Sequence, residues 1–215
     1  MAETAAKKQP AAQKGPAAQK GPAAPKEPGR RERKKAATRK ALSDAALELF
    51  LERGFDKVTV AQIAERADTA VTTLFAHFPG GKEALILGDG SERAASLTAA
   101  VRERGAGESV LDALEGFFAG RGIFSEDQDH AYRKQVEFVT STPKLRAYAR
   151  QLWVSCEEPL AKVMAEEAGR PEGDLSLRVL ARFVLEIPDL ASLEPHPRRA
   201  LEAVFEHLRR GWPDV

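Results

Sequence analysis

A single cysteine, Cys156, leaves this chain of 215 residues without an internal disulfide and agrees with a reducing compartment. Two carboxylates follow it in "VSCEEP", the wrong electrostatics for a reactive thiolate, so it reads as buried filler. No apolar run approaches the roughly 20 residues of a membrane span, and the basic N-terminus lacks the apolar centre of a secretory signal. These absences predict a cytoplasmic protein with no membrane partner. No alternating strand pattern with hairpin punctuation occurs. Nucleotide-binding loops, zinc-ligand spacing and a Ser/His/Asp signature are missing too, which argues against an enzyme and predicts no cofactor. "FSEDQDH", Phe124 to His130, gathers acids beside a histidine but has no second histidine or cysteine at ligand spacing, so it reads as a solvated loop and not a metal site.

The charge that is present is unevenly placed. The formal net charge is only +1, yet residues 1 to 40 hold twelve Lys or Arg against three Glu. A basic end on an acidic body fits a polyanion bound at one end, because phosphate attraction acts within a Debye length. Residues 1–29 include the repeat "AAQKGPAAQKGPAAPKEP", which has no large apolar side chain and is expected to be a disordered basic tail. Such a tail either gathers DNA nonspecifically or is simply solvated.

From Arg30 onward the pattern is helical. Leu42, Ala45, Ala46, Leu49 and Phe50 recur at spacings of three and four, and Gly54 stands at a C-cap. Thr59 followed by Gln62 is a capping box for a short second helix bearing Val60, Ile63, Ala64 and Ala67. A third helix is predicted from about Val71 to Phe78, joined to the second by Asp68-Thr69-Ala70, with Thr69 or Asp68 expected to cap it. Two short helices joined by so tight a turn make a helix-turn-helix, the third helix being the one able to enter a major groove. Thr72 and Thr73 are poor helix formers, which favours contact with DNA over a purely structural role.

The remainder also reads as helices. Lys82 to about Glu103 is predicted as a helix interrupted at Gly88-Asp89-Gly90, a break or a hinge, and Ser109 to Phe124 as another. A helix near 127–139 follows, then a long one starting at Ser141-Thr142-Pro143, ending near Gly169 and kinked at Pro159. Helices from Glu172 to about Ile187 and from Pro197 to Gly211 complete an all-α chain.

The stretch "AALELFLERGFDKVTVAQIAERADTAVTTLFAHFPGGKEAL" resembles the N-terminal domain of the tetracycline-repressor (TetR) family of bacterial transcriptional regulators. The resemblance rests on Arg53-Gly54-Phe55, Thr59-Val60-x-x-Ile63-Ala64, Thr73-Leu74-Phe75-x-His77-Phe78 and Lys82-Glu83-x-Leu85. It implies a head at residues 30–85, a helical ligand-binding and dimerisation domain at 86–215, and a homodimer on a roughly palindromic operator, released by a small-molecule effector. By position, Thr59 matches a capping hydroxyl that also contacts phosphate. Val71, Thr72 and Thr73 match the exposed first turn of the recognition helix, with Thr69 just before it. Phe75 matches an aromatic lying against DNA, His77 a frequent phosphate contact, and Lys82 a phosphate-binding lysine. The turn departs from the usual pattern, with Asp68 in place of glycine, Ala70 in place of a Ser or Thr cap, and one extra residue at Gly80-Gly81.

In the body, Phe117, Phe138 and Trp153 are candidate ligand contacts within an otherwise apolar set. Leu180, Val184 and Ile187, with Leu201, Val204, Phe205 and Leu208, form two helical stripes that suit a four-helix dimer interface. Two other readings stay open at this level: a regulator or activator without a ligand, controlled by a protein partner, and a helical enzyme with a helix-turn-helix-like head.

Overall fold

The computed structural model describes residues 29–126 and 129–211, and among them it contains helices and no strand. The repeat segment expected to form a tail lies outside the described residues.

The head is built from α1 (Arg30–Arg53), α2 (Val60–Arg66), α3 (Val71–His77) and α4 (Gly81–Leu87). In α1 the apolar set Leu42, Ala45, Ala46, Leu49 and Phe50 is buried as its spacing requires. Residues 30–37 precede that set and are all exposed, so α1 begins with about two turns of solvated basic helix. Gly54 ends the helix and Phe55 turns back, its ring centroid 5.0 Å from that of Phe50. The capping box at α2 is present: the amide of Gln62 donates to Thr59 Oγ1 at 3.2 Å and the amide of Thr59 to Gln62 Oε1 at 2.9 Å. Such a cap contributes about 1 kcal/mol.

The body comprises α5 (Ser91–Arg102), α6 (Val110–Ala119), α7 (His130–Ser141), α8 (Pro143–Val154), α9 (Glu157–Ala168), α10 (Leu175–Ala191) and α11 (Pro197–Arg210). The long helix expected from Pro143 to Gly169 is two helices, broken at Ser155-Cys156. Pro159 therefore falls in the first turn of α9, where its missing N–H removes no helical bond and no kink results. In contrast α10 runs past its expected end and includes Pro188 near its C-terminus.

Two apolar cores result. One holds Leu42, Phe50, Ile63, Leu74, Phe78 and Leu85 of the head together with Leu145 of α8. The other joins Leu97, Phe118, Leu160, Leu185, Leu201 and Phe205 of the body, with Cys156 buried among them. Burial pushes the Cys156 thiol above its ordinary pKa, as expected of a structural cysteine. Because Leu145 is fully buried in the head's core, α8 ties the head to the body.

Candidate functional site

The turn before α3 shows how this sequence makes the helix-turn-helix without its usual glycine. Asp68 takes φ +48°, the left-handed region, and among the described residues no other non-glycine has a positive φ. The amide of Thr69 donates to Ala64 O at 2.9 Å and that of Asp68 to Glu65 O at 3.1 Å. These are the paired bonds of a Schellman cap, in which the aspartate stands where glycine is the commonest residue. Helix α3 then starts after Ala70, with no side-chain cap, which corrects the expectation that Thr69 or Asp68 provides one. The start at Val71 agrees with the expected register. Downstream, the added Gly81 takes φ +77° as the first residue of α4, so the extra residue is absorbed at the start of α4 and not in α3.

On α3, Leu74 is buried, Val71, Thr73 and His77 are half-buried, and Thr72, Phe75 and Ala76 are exposed. Phe75 is 46% exposed, a large apolar ring at the head's surface. Thr59 is exposed and Thr69 half-buried. His77 Nδ1 is buried without a hydrogen-bond partner.

Lys82 departs from the phosphate role implied by the resemblance. Its ammonium donates to Phe55 O at 2.7 Å and Val58 O at 2.8 Å, and lies 4.4 Å from the Phe55 ring centroid. Burial lowers its pKa, and Asp56 and Glu83 oppose the shift. Two of its three protons thus hold the α1–α2 connection onto α4. The physical reason is that these two carbonyls lack partners within a helix and a nearby cation satisfies both.

A residue the sequence did not single out joins this surface to the interior. Arg39 of α1 donates Nη1 to the carbonyl oxygen of His77 at 2.7 Å. Its guanidinium lies 4.3 Å from the Phe78 ring centroid, and Nη2 is 3.8 Å from Asp89. Nothing in the basic run around it marks Arg39 off, because its distinction comes from a contact with a residue 38 positions away.

Arg39 also lines a cavity of about 890 Å³ between head and body. The nominated residues Phe117 and Trp153 line it, with Phe118, Ile123, Val136 and Val139. Phe138 does not. It stacks on Phe50 at 6.3 Å against the head's core and does not border the cavity, which corrects its nomination as a ligand contact. Phe117, Phe118 and Trp153 meet edge to face, with centroids 5.2 to 6.1 Å apart. Over this aromatic wall the guanidinium of Arg93 sits 4.7 Å from the Trp153 centroid, and that of Arg121 3.5 Å from the Phe117 centroid. At the cavity's edge, Tyr148 Oη donates to Gly88 O at 3.1 Å, fixing the connection between α4 and α5 against α8.

The proposed interface stripes need correction as well. Val184, Ile187, Leu201 and Phe205 are buried in the core of the single chain, so they are unavailable to a partner. Leu180, Val204 and Leu208 are half-buried against the same core. The free apolar face of α10 is instead formed by Leu175, Val179, Phe183 and Leu190. A spacing of four and seven puts them within one stripe, and helical periodicity alone does not tell this stripe from the buried one beside it.

Among the described residues there is no group of three or more side chains able to hold a metal ion, and no helix is long and apolar enough to cross a membrane.

Comparison with known proteins agrees with this geometry. Residues 42–88 match the model for bacterial regulatory proteins of the tetR family, and residues 108–211 match the MftR C-terminal domain. A Mycobacterium tuberculosis protein named as the mycofactocin biosynthesis transcriptional regulator MftR is 30% identical over 155 residues, 72% of this chain and 78% of that protein. The HTH-type transcriptional regulator TcmR of Streptomyces glaucescens is 34% identical over 167 residues, 74% of this chain and 71% of that protein. Among solved structures, Salmonella enterica GusR shares the fold with a TM-score of 0.50 at 22% identity, covering 81% of this chain and 92% of its own. The chain belongs to the tetR family of bacterial regulatory proteins, and its helix-turn-helix head is that of a DNA-binding transcriptional regulator.

Proposed function

We propose that the protein is a homodimeric repressor whose two heads bind successive major grooves of a palindromic operator and are released when a small molecule fills the cavity between head and body. In this reading residues 30–85 are the DNA-binding unit and residues 86–215 bind the effector and the second copy. The operator is met by the exposed face of α3, chiefly Thr72 and Phe75, with Val71, Thr73 and His77 beside it and Thr59 and Thr69 at the flanking helix ends. That face offers no Arg, Lys, Asn or Gln for bidentate base contacts, so specificity comes from van der Waals fit and DNA shape.

The observation that carries the effector reading is Arg39, whose one guanidinium lines the cavity and holds the last turn of α3. A molecule entering the cavity changes the surroundings of that side chain, and through it the seat of the recognition helix. The cavity's size is within the range of small-molecule sites, and its wall sets an aromatic cluster among charged side chains. The exposed stripe on α10 supports the homodimer, with half-sites about 34 Å apart along the duplex.

Selection of bound sequences from a random DNA pool tests the reading and returns the operator. Inverted half-sites are the expected outcome, with Thr72→Ala and Phe75→Ala abolishing enrichment. Enrichment of a single unrepeated site would overturn the two-headed arrangement, and no enrichment would overturn sequence-specific binding.

A further inference from the structure

We propose that the cavity takes an organic anion with an apolar body, its charged group seated by Arg93 and Arg121 and its body against Phe117, Phe118 and Trp153. The inference rests on the reading of this cavity as the effector site and names the chemistry it selects.

Charge in the cavity wall is lopsided: six cations line it against three acids. Most of the charged groups are already committed. Arg146 pairs with Asp189 at 3.1 Å, Arg150 with Glu186 at 2.6 Å, and Asp89 accepts from Ser91 and faces Arg39. Lys35 and Glu92 are exposed at the rim. Arg93 and Arg121 are different, because among the described residues neither forms an ion pair with a carboxylate. Arg93 donates Nη2 to Leu87 O at 3.2 Å, and Arg121 donates Nη1 to Phe117 O at 2.6 Å. Each otherwise rests on an aromatic face.

A guanidinium has five N–H donors, and one carbonyl plus one ring leave most of them open. Burial disfavours the charged form of Arg93; Cys156, Tyr148 and Tyr132 oppose the shift, and no carboxylate does. Packing a cation into a half-buried aromatic wall without a counter-charge is costly, and a bound anion removes that cost. A cationic ligand would add repulsion, and a neutral one would leave the deficit in place. The two arginines come from different elements, Arg93 from the first turn of α5 and Arg121 from the turn after α6, over rings whose centroids are 6.1 Å apart. One anionic group can therefore be approached from two sides while the apolar body lies along the ring edges, Ile123, Val136 and Val139.

The test uses the full chain and the neutral fluorophore N-phenyl-1-naphthylamine as reporter of the cavity. Three matched competitors displace it: 2-naphthoate, 2-naphthyl phosphate and the neutral 2-naphthalenemethanol. The two anions should displace the reporter at concentrations at least about tenfold below the neutral alcohol, the order of one charge-assisted contact. Their relative potency separates carboxylate from phosphate. Arg93→Gln and, separately, the more exposed Arg121→Gln should erase the anion advantage while leaving reporter and alcohol affinities unchanged, and Arg93→Lys should restore part of it. Equal potency of anions and alcohol on the wild-type chain overturns the proposal but leaves a ligand cavity. Loss of reporter, alcohol and anion binding alike in both glutamine variants assigns the arginines to packing and also overturns it. Failure of the reporter to bind the wild-type chain overturns the effector reading itself.

Discussion

Arg39 Nη1 and the carbonyl oxygen of His77 are 2.7 Å apart, so the last turn of the recognition helix is held by a side chain of α1 that also borders the cavity. The carbonyl belongs to the C-terminal turn of α3, where no intrahelical donor remains, and a cation there is favoured by the helix dipole as well as by the hydrogen bond. Arg39→Met keeps the stem against Phe78 and removes the donors. Operator affinity measured by fluorescence anisotropy should fall about tenfold, the loss of one hydrogen bond from a charged donor, with unchanged helicity by circular dichroism. Unchanged affinity would show that α3 keeps its seat without Arg39.

The exposed start of α1 is a second source of binding, of a different kind. Arg31, Arg33 and Lys34 stand on an exposed helical segment, and their replacement by alanine preserves helix propensity. If all three meet phosphates in both heads of the dimer, six contacts are lost and the slope of log K against log salt becomes shallower by about 5. The sequence preference of the selected operator should not change. An unaltered slope would mean that this basic segment stands clear of the DNA.

The turn between α2 and α3 carries avoidable strain. Asp68 occupies the left-handed region at φ +48°, where glycine meets no Cβ penalty. Asp68→Gly is expected to raise stability by about 0.5 kcal/mol, and Asp68→Val to lower it by about 1 kcal/mol or more. Thermal denaturation of the two variants beside the wild type checks the order, and a less stable glycine variant would refute the argument.

This turn also marks what was legible in the sequence. The positions of α1 to α4 followed from apolar spacing and the Thr59–Gln62 capping box, because those signals act within one or two helical turns. Even the departures at Asp68 and Gly81 pointed to the right places, since positive φ leaves few residue choices. The cavity did not show in the same way. Phe138 and Phe117 have similar surroundings in the sequence, but Phe138 meets Phe50 across 88 residues while Phe117 meets Trp153 across 36. Arg93 and Arg121 carry no local mark either, because what distinguishes them among the described residues is the lack of an ion pair with a carboxylate in three dimensions. The split of the expected long helix at Ser155-Cys156 has no clear sign in the sequence, since Pro159 fits a kink within one helix as well as the first turn of a second.

The connection between head and body is tightly fitted at Gly90. A Cβ there would lie 3.0 Å from Leu152 Cδ2, and the residue has φ +80°. Gly90→Ala should therefore destabilise the chain by about 1 to 2 kcal/mol through backbone strain. Shortening Leu152 to alanine removes the close approach but not the strained φ, so Gly90→Ala should cost about as much in a Leu152→Ala chain as in the wild type. A negligible cost in that background would assign the effect to crowding alone.

The last prediction separates an interface residue from a core residue on adjoining helices. Phe183 is 57% exposed on the free stripe of α10, whereas Leu201 of α11 is fully buried within the chain. Phe183→Glu places a charge where the single chain has nothing to lose, so its folding free energy should stay within about 0.5 kcal/mol of the wild type. Two such charges facing each other across a two-fold seam are strongly unfavourable, and sedimentation velocity should show the variant as a monomer with weakened operator binding. Leu201→Ala should behave in the opposite way, losing about 2 to 5 kcal/mol of stability to the cavity it leaves. Below its melting temperature it should still be a dimer. A dimeric Phe183→Glu protein would move the seam off this face of α10, and a wild-type chain that sediments as a monomer would remove the seam altogether.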